Sequence, residues 1–496
     1  RPSPVAMSSV VAGFARRAAG KARAYAAGVP AVATQAATAA GMPLMCDPLP
    51  GVPEAFAQYP ATTPETKVTK LPSGMIVASE DSPGPAANVS LFVGAGSVHE
   101  TAPGTAGASH ALEKLAWTST QMRSQFRIVR DAEVIGAHTS AIAGREHFTY
   151  SVDGVKGTQA ALVEMLMEGA RMPAMHDWEL AGAIERAIKD TKNSENSTLQ
   201  MGEAMHSVAY AGKGLGRPLL ATDSLLASSS PQAVAKFWGE HFTSPSRMVV
   251  AASGIDHDEL VSLVEPFSGN VEGVASVESS ASEDAPYVGG EWSGKSTDGS
   301  SHVNMVFETP GGWSDVDGAV TCTVLQAMLG GGFSFSSGGP GKGMYSRLYT
   351  GVLNQYAQVT MASVHGDMYD KTGLVGVSGT CEPGFEGRLV DILTAQLTDI
   401  AAAKFSDEEL ARARNSAISS MMTNLEKKNV VSEDIGRQLL AYGKRMPAST
   451  FIEKLNKVSS KNVAAYAKKM FATPLTYVTM TAGGEFPAYK DVAGRF

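Results

Sequence analysis

The spacing of apolar residues divides the chain after position 66 into strands and helices. Apolar and polar side chains alternate over 88–94, as in a half-buried strand, and a Pro-Ser-Gly turn joins two shorter strands within 67–80. Two more strands are predicted over 138–143 and 147–152. Apolar residues at helical spacing predict five helices, over 106–118, 124–135, 158–168, 177–192 and 200–209.

The second half of the chain repeats this order. An alternating strand over 302–308 precedes a helix over 319–329. A strand pair and three helices follow, over 358–364, 373–379, 387–404, 407–424 and 431–445. The repeat predicts an α+β fold with two homologous domains, each a mostly antiparallel sheet with helices packed on one face.

Changes in composition suggest where these domains begin and end. Residues 269–300 are rich in Ser, Gly and Glu and poor in apolar side chains, which is typical of a solvated linker. We therefore expect an N-terminal arm over 1–65, a first domain over 66–268, a linker over 269–300 and a second domain over 301–488.

The first 46 residues differ in kind from the rest. The charged residues before position 47 are all basic: Arg1, Arg16, Arg17, Lys21 and Arg23. An Ala-rich segment with arginines and no acids resembles an organelle transit sequence. The small residues of this segment, with Pro30 and Pro43, argue against a membrane-spanning helix.

The charge balance and the cysteines limit the possible partners and the cellular compartment of this protein. A formal net charge of −8 argues against nucleic acid as a partner, because phosphate binding needs a basic face. The same charge is compatible with cationic peptides. The three cysteines, Cys46, Cys322 and Cys381, form no pairing motif, which favours a reducing or neutral compartment.

A glycine-rich stretch, GGGFSFSSGGPGKGMYSRLY over 330–349, follows the helix predicted over 319–329. Long loops of this composition are usually functional or disordered, so we expect a mobile, substrate-contacting loop whose last residues, 345–349, begin the next helix. The alternative is an insertion without a role. The candidate substrate-binding residues are Gly330, Gly331, Gly332, Phe333, Ser334, Phe335, Ser336, Ser337, Gly338, Gly339, Pro340, Gly341, Lys342 and Gly343.

A degenerate zinc motif lies on the helix predicted over 106–118. His110 and position 114 are four residues apart and share a helix face, and Glu113 stands where a metallopeptidase places its general base. The second ligand position holds Lys114, whose ammonium has no lone pair for a metal. The simpler alternative is a local hydrogen bond between His110 and Glu113. We expect no catalytic residues and no metal site in this chain.

The motif HALEKLAWTST and the segment 122–153 resemble the pitrilysin-type (inverted-zincin) metallopeptidases, and the glycine-rich stretch resembles the alpha-type subunits of heterodimeric, presequence-removing members. The resemblance covers 66–486 and implies a third zinc ligand near Thr191, but a threonine is not a zinc ligand. Asp190 and Glu195 are close to that position but lie off the counted spacing. The resemblance therefore implies a non-catalytic, substrate-recognising subunit.

The resemblance also implies partners and a location. The expected partners are a catalytic beta-type subunit that holds zinc and the cationic presequence peptides of imported precursors, in the mitochondrial matrix or at the matrix face of the inner membrane. Lys342 and Arg347 are cationic, so we expect acidic side chains, many from the beta-type subunit, to recognise presequence arginines.

Two alternatives stay open at this point. The chain could also, or only, be a structural core subunit of the cytochrome bc1 complex, with cytochrome b and cytochrome c1 as partners. A zinc peptidase active on its own would bind stoichiometric zinc, which Lys114 argues against.

Overall fold

The computed structural model describes residues 65–102, 104–194, 198–220, 230–269, 286–309, 311–334 and 343–496. The predicted arm thus lies outside the described residues except for its last position. None of the helices within these ranges is both long enough and apolar enough to cross a membrane.

The first half of the chain builds a six-stranded sheet in the order β1-β2-β6-β3-β5-β4. Its strands are β1 (Lys67–Lys70), β2 (Ile76–Glu80), β3 (Ala86–Val93), β4 (His138–Ala143), β5 (Phe148–Val155) and β6 (Met248–Ser253). The pair β2 and β6 is parallel and every other pair is antiparallel. The helices of this half are α1 (Ala108–Leu115), α2 (Gln125–Ile135), α3 (Gln159–Arg171), α4 (Asp177–Ser194), α5 (Thr198–Ala209), α6 (Pro231–His241) and α7 (His257–Val264).

The second half builds a sheet of the same kind, in the order β7-β12-β8-β11-β10-β9. Its strands are β7 (Gly290–Lys295), β8 (Ser301–Glu308), β9 (Gly331–Phe333), β10 (Val359–Met368), β11 (Gly373–Cys381) and β12 (Thr476–Thr481), of which only β7 and β12 pair in parallel. Its helices are α8 (Val316–Leu329), α9 (Glu386–Ala401), α10 (Asp407–Asn424), α11 (Lys428–Tyr442), α12 (Ala448–Lys457), α13 (Ser460–Phe471) and α14 (Tyr489–Ala493). The predicted α+β class with two similar domains is confirmed.

Each sheet buries one face under helices of its own half and the other face under a helix from the opposite half. Val431, Ile435 and Leu439 of α11 pack on Phe92 and Val249 of the first sheet. In return, α5 lays its methionines on the second sheet. The side chains of that second contact are Met201, Met205, Ala209, Tyr210, Val306, Leu374, Val478 and Met480. The exchange joins the two halves through apolar burial, which is the main favourable contribution to folding.

Gly436 lets α11 approach the first sheet closely. A Cβ atom at this position would lie 2.2 Å from the ring of Phe92, so any larger residue forces the helix away. Phe92 itself is fully buried. One glycine therefore sets the distance at which the second half clamps the first.

The structure differs from the sequence expectation in the linker over 269–300. Residues 270–285 lie outside the described ranges, but Gly290–Lys295 forms strand β7 beside β12. Burial alternates along β7, as it does in a strand with one covered face. Its polar composition hid this alternation, because Trp292 is the only large apolar residue in it.

Candidate functional site

Helix α1 carries the degenerate zinc motif and is held at its start by Glu100. The Glu100 carboxylate accepts hydrogen bonds from the backbone nitrogens of Gly107 at 2.6 Å and Ser109 at 2.8 Å, which satisfies donors that the first helical turn leaves open. Burial raises the pKa of Glu100 to about 7, although these hydrogen bonds pull it down. One face of α1, which includes Leu112 and Leu115, is buried in the first domain's core.

Lys114 occupies the centre of the motif. Its ammonium lies 3.0 Å from Glu113 Oε1 and 2.6 Å from Asp190 Oδ2. Burial by itself lowers the pKa of Lys114, but its hydrogen bonds to Asp190 and Glu113 and their charges outweigh burial, and the pKa rises. The lysine is therefore a fixed cation between two carboxylates.

The buried His110 completes the cluster. Its Nε2 lies 4.0 Å from Asp190 Oδ2, and burial, followed by the charge of Lys114, lowers its pKa. An imidazole and a carboxylate could ligate zinc, but the Lys114 ammonium, 2.6 Å from Asp190, repels a dication and donates no lone pair. Across the described ranges, no group of three His, Cys, Asp or Glu side chains could hold a metal ion. The residues present do not fit zinc.

Glu113, at the position of a general base, uses both of its carboxylate oxygens in structural contacts. One carboxylate oxygen pairs with Lys114, and the other accepts the backbone N–H of Ala143 on β4 at 2.9 Å. Each oxygen of this carboxylate therefore already accepts one hydrogen bond, and its charge is paired with a lysine. The carboxylate is poorly placed to take a proton from water.

Asp190 is the residue of this cluster that sequence reasoning passed over. Residue counting pointed to Thr191, whose hydroxyl instead donates to the carbonyl of Ala187 within α4. One residue earlier, Asp190 faces α1 and pairs with Lys114. The sequence does hold a signal for Asp190, because a half-buried lysine on a helix is stabilised by a carboxylate on a neighbouring element. Glu195 lies outside the described residues.

The front of the glycine-rich stretch is a strand, where the sequence predicts a loop. Gly331–Phe333 forms β9, an edge strand paired with β10. Gly331 has a φ of +97°, and a Cβ there would lie 2.1 Å from the carbonyl oxygen of Ala362. Its backbone nitrogen also donates to the Ser346 hydroxyl at 3.0 Å. Glycine is required at this position by strand packing, whatever else it does.

The far end of the stretch is anchored too. Arg347 forms an ion pair with Glu409 at 2.9 Å and donates to the carbonyl of Lys404 at 2.7 Å. The expected helix after 345 is a short π-helical turn, Tyr349–Leu353. The middle of the predicted loop lies outside the described residues: Phe335, Ser336, Ser337, Gly338, Gly339, Pro340, Gly341 and Lys342. Its two feet, Gly330–Ser334 and Gly343 onward, are described.

A second candidate site is a cavity of about 710 Å³ between the two halves. The turn between β4 and β5 meets the turn between β10 and β11 there, and the Glu146 carboxylate accepts the backbone N–H of Asp370 at 3.0 Å. Burial raises the pKa of Glu146 to about 7. Sequence reasoning missed this site because its residues come from turns more than two hundred positions apart.

Comparison with known proteins identifies the family. The model described as Insulinase (Peptidase family M16) matches residues 76–223, and that described as Peptidase M16 inactive domain matches 228–417. The mitochondrial-processing peptidase subunit alpha of Solanum tuberosum is 41% identical over 87% of this chain and 85% of its own length. A probable subunit alpha-2 of Arabidopsis thaliana is 38% identical over 92% and 90%. The human subunit alpha is 29% identical over 90% and 88%. The resemblance seen in the sequence is confirmed, and the chain belongs to peptidase family M16, the insulinase family.

Proposed function

We propose that this chain is the non-catalytic, precursor-binding alpha-type subunit of a mitochondrial processing peptidase. The observation that carries the proposal is the Lys114 ammonium, fixed between Glu113 and Asp190 where a zinc ligand would stand. The zinc and the catalytic base then belong to a beta subunit. The named relatives, all subunits called alpha, support a role as one member of such a pair.

The glycine-rich stretch is the proposed contact for precursors. Its feet are held by β9, by the Gly331–Ser346 hydrogen bond and by the Arg347–Glu409 ion pair. A firmly held base with glycine-rich backbone between its ends offers donors and acceptors to an extended peptide of any sequence. The negative net charge of the chain favours cationic presequences as its substrates.

Metal content and activity test the non-catalytic role. The isolated chain should bind no stoichiometric zinc and cleave no presequence peptide, while the mixture with its beta subunit should cleave. The beta subunit alone is the control. Stoichiometric zinc in the isolated chain, together with cleavage that a chelator abolishes, would show that the chain is itself the catalyst.

A shortened loop tests the precursor-binding role. Replacing residues 335–342 by two residues leaves β9 and Arg347 in place, so the heterodimer should assemble normally but bind precursor peptides at least tenfold more weakly, the scale set by losing a few backbone hydrogen bonds. The matched control replaces the same positions by eight Ser and Ala residues, which separates length from glycine content. Unchanged precursor affinity in the shortened variant would contradict the proposal.

The bc1 core role stays a prediction of its own. Purification of the native chain, followed by identification of the bound proteins, separates the cases. A beta subunit alone indicates a matrix peptidase, and cytochrome b with cytochrome c1 indicates a complex on the matrix face of the inner membrane.

A further inference from the structure

We propose that the outer face of α2, with the start of α4, is the surface through which this chain docks on its catalytic beta-type subunit. The inference rests on the proposed function. We define the α2 surface by five side chains with their exposed fractions: Met122 (68%), Phe126 (76%), Val129 (48%), Val134 (78%) and Trp178 (70%).

Helix α2 carries apolar side chains on both of its faces: Ile135 packs against the first domain's core, and others point to solvent. A surface helix normally turns its apolar stripe to the core. In this helix of 11 residues, Ile128 is the only buried side chain, while Phe126, Val129 and Val134 face solvent. Fourteen large apolar side chains are exposed in the described part of the chain, and five of them make this one surface. Such a concentration marks an interaction site.

Hydrogen bonds join the two elements of the surface. The Ser119 hydroxyl donates to Glu179 Oε1 at 2.6 Å and accepts the backbone N–H of Gln125 at 3.2 Å, so the start of α4 lies against the start of α2. The ring of Trp178 stacks on His176 at a centroid distance of 4.2 Å. Its side chain is therefore partly ordered before any partner arrives, which lowers the entropic cost of binding.

Ion pairs hold α2 on the domain without using its apolar face. Arg123, just before the helix, pairs with Glu164 and Glu168 of α3 and with Asp131 of α2 itself. These ion pairs, together with the buried Ile128 and the core-packed Ile135, fix the helix in place. Its apolar face is left available to a partner.

The size and charge of the α2 surface select the kind of partner. The exposed apolar area of the five side chains is on the order of 600 Å², most of the roughly 800 Å² that one partner contributes to a standard protein interface. The helix carries two basic residues, Arg127 and Arg130, and two acidic ones, Asp131 and Glu133. A cationic presequence would need a net acidic surface, so a balanced apolar surface rich in Met, Phe and Trp fits a folded protein subunit.

A surface variant tests the inference. Phe126→Ser with Val134→Ser should weaken binding to the purified beta subunit at least tenfold, the scale of losing interface anchors. The matched control, Val68→Ser with Met422→Ser, changes two half-exposed apolar side chains elsewhere and should bind as the unsubstituted chain does. Equal binding by both variants overturns the inference and leaves the proposed function standing. An unsubstituted chain that does not bind the beta subunit at all overturns both.

Two further measurements identify the occupant. Hydroxyl-radical footprinting should oxidise Met122 and Trp178 in the isolated chain and protect both in the heterodimer. Protection already present in the isolated chain, or missing from the heterodimer, overturns the inference. So does a homodimer of the isolated chain that the Phe126→Ser, Val134→Ser variant abolishes, because the occupant is then a second copy.

Discussion

The two halves of the molecule share a strand order and differ at both sheet edges: β1 extends the first sheet beside β2, and β9 extends the second beside β10. In each, a parallel pair is followed by antiparallel strands, β2-β6-β3-β5-β4 in the first half and β7-β12-β8-β11-β10 in the second. Within the described ranges β4 is an edge strand, whereas β10 is covered by β9 from the glycine-rich stretch. The helix that follows the corresponding strand, β3 or β8, differs as well. Helix α1 carries the His110, Glu113 and Lys114 cluster, while α8 is largely apolar.

The edges of the two sheets are where this fold changes with function. The central strands pair in the same way in both halves, and α5 and α11 each cover the sheet of the opposite half. The differences lie at the two edges of the sheets and in the helix that follows β3 or β8. Four substitutions test how far the halves are equivalent, in order of their expected effect.

The first substitution removes the side chain on which α11 rests. Phe92→Ala should lower the free energy of unfolding by about 3–5 kcal/mol, because Phe92 is fully buried between the halves. Chemical denaturation measures this change in the free energy of unfolding, with Val68→Ala as the control at an exposed position. If Met205→Ala, at the reciprocal contact of α5, costs nothing by comparison, the two exchanges are not equivalent.

The second substitution asks whether α1 lacks only one ligand. Lys114→His should create a zinc site from His110, the new histidine and Asp190, and zinc at a hundred times its dissociation constant should then raise the free energy of unfolding by about 2.7 kcal/mol. Isothermal titration with zinc checks this. Adding Asp190→Asn should abolish binding; binding that survives it would mean that Asp190 is no ligand.

The third substitution concerns the two equivalent turns that meet in the cavity. The folded pKa of Glu146, about 7, lies above the ordinary value of 4.5, so the folded state holds the proton more tightly than the unfolded state. Its protonation therefore stabilises the fold below about pH 5, and that contribution fades as the pH rises through 7.

Glu146→Gln keeps an acceptor for the Asp370 N–H and removes this titration. The free energy of unfolding of the variant, minus that of the unsubstituted chain, should rise by about 2 kcal/mol from pH 5 to pH 8. Denaturation curves of both proteins across that range measure this difference. Because the buried histidines are present in both proteins, their contributions cancel in the subtraction. A constant difference would mean that Glu146 stays ionised in the fold.

The smallest expected effect lies at the covered edge. Ser346→Ala removes the hydroxyl that accepts the Gly331 N–H, at a cost of about 1 kcal/mol confined to β9. Hydrogen exchange at Gly331 and Phe333 should accelerate, while exchange in β11 stays unchanged. Acceleration throughout the second sheet would show that β9 supports the whole domain.

The sequence predicted local structure well and long-range pairing poorly. The strands and helices from 67 to 209 and from 302 to 445 are confirmed because their apolar spacing reports directly on burial. Strand β9 was missed, since three residues with two glycines carry no alternation and pair only because β10 is there. No elements are predicted from the sequence over 231–264 and 448–493, where the structure has α6, β6, α7, α12, α13, β12 and α14.

The candidate site divides in the same way. Lys114 in a ligand position could be recognised from five consecutive residues, 110–114, of one helix, but its pairing with Asp190 depends on how α4 crosses α1. The apolar stripes of α5 and α11 predict burial, and nothing local says that each lies on the opposite half's sheet. Contacts between distant elements carry no signature in a single segment.

The exchange of helices has a consequence for the newborn chain. As residues leave the ribosome in order, the first sheet is complete once β6 has emerged, but the helix that covers Phe92 and Val249 follows almost two hundred residues later. For that interval a finished sheet presents a bare apolar face. We expect a fragment that stops at residue 269 to aggregate or to be held by chaperones, since transiently exposed apolar surface has that effect.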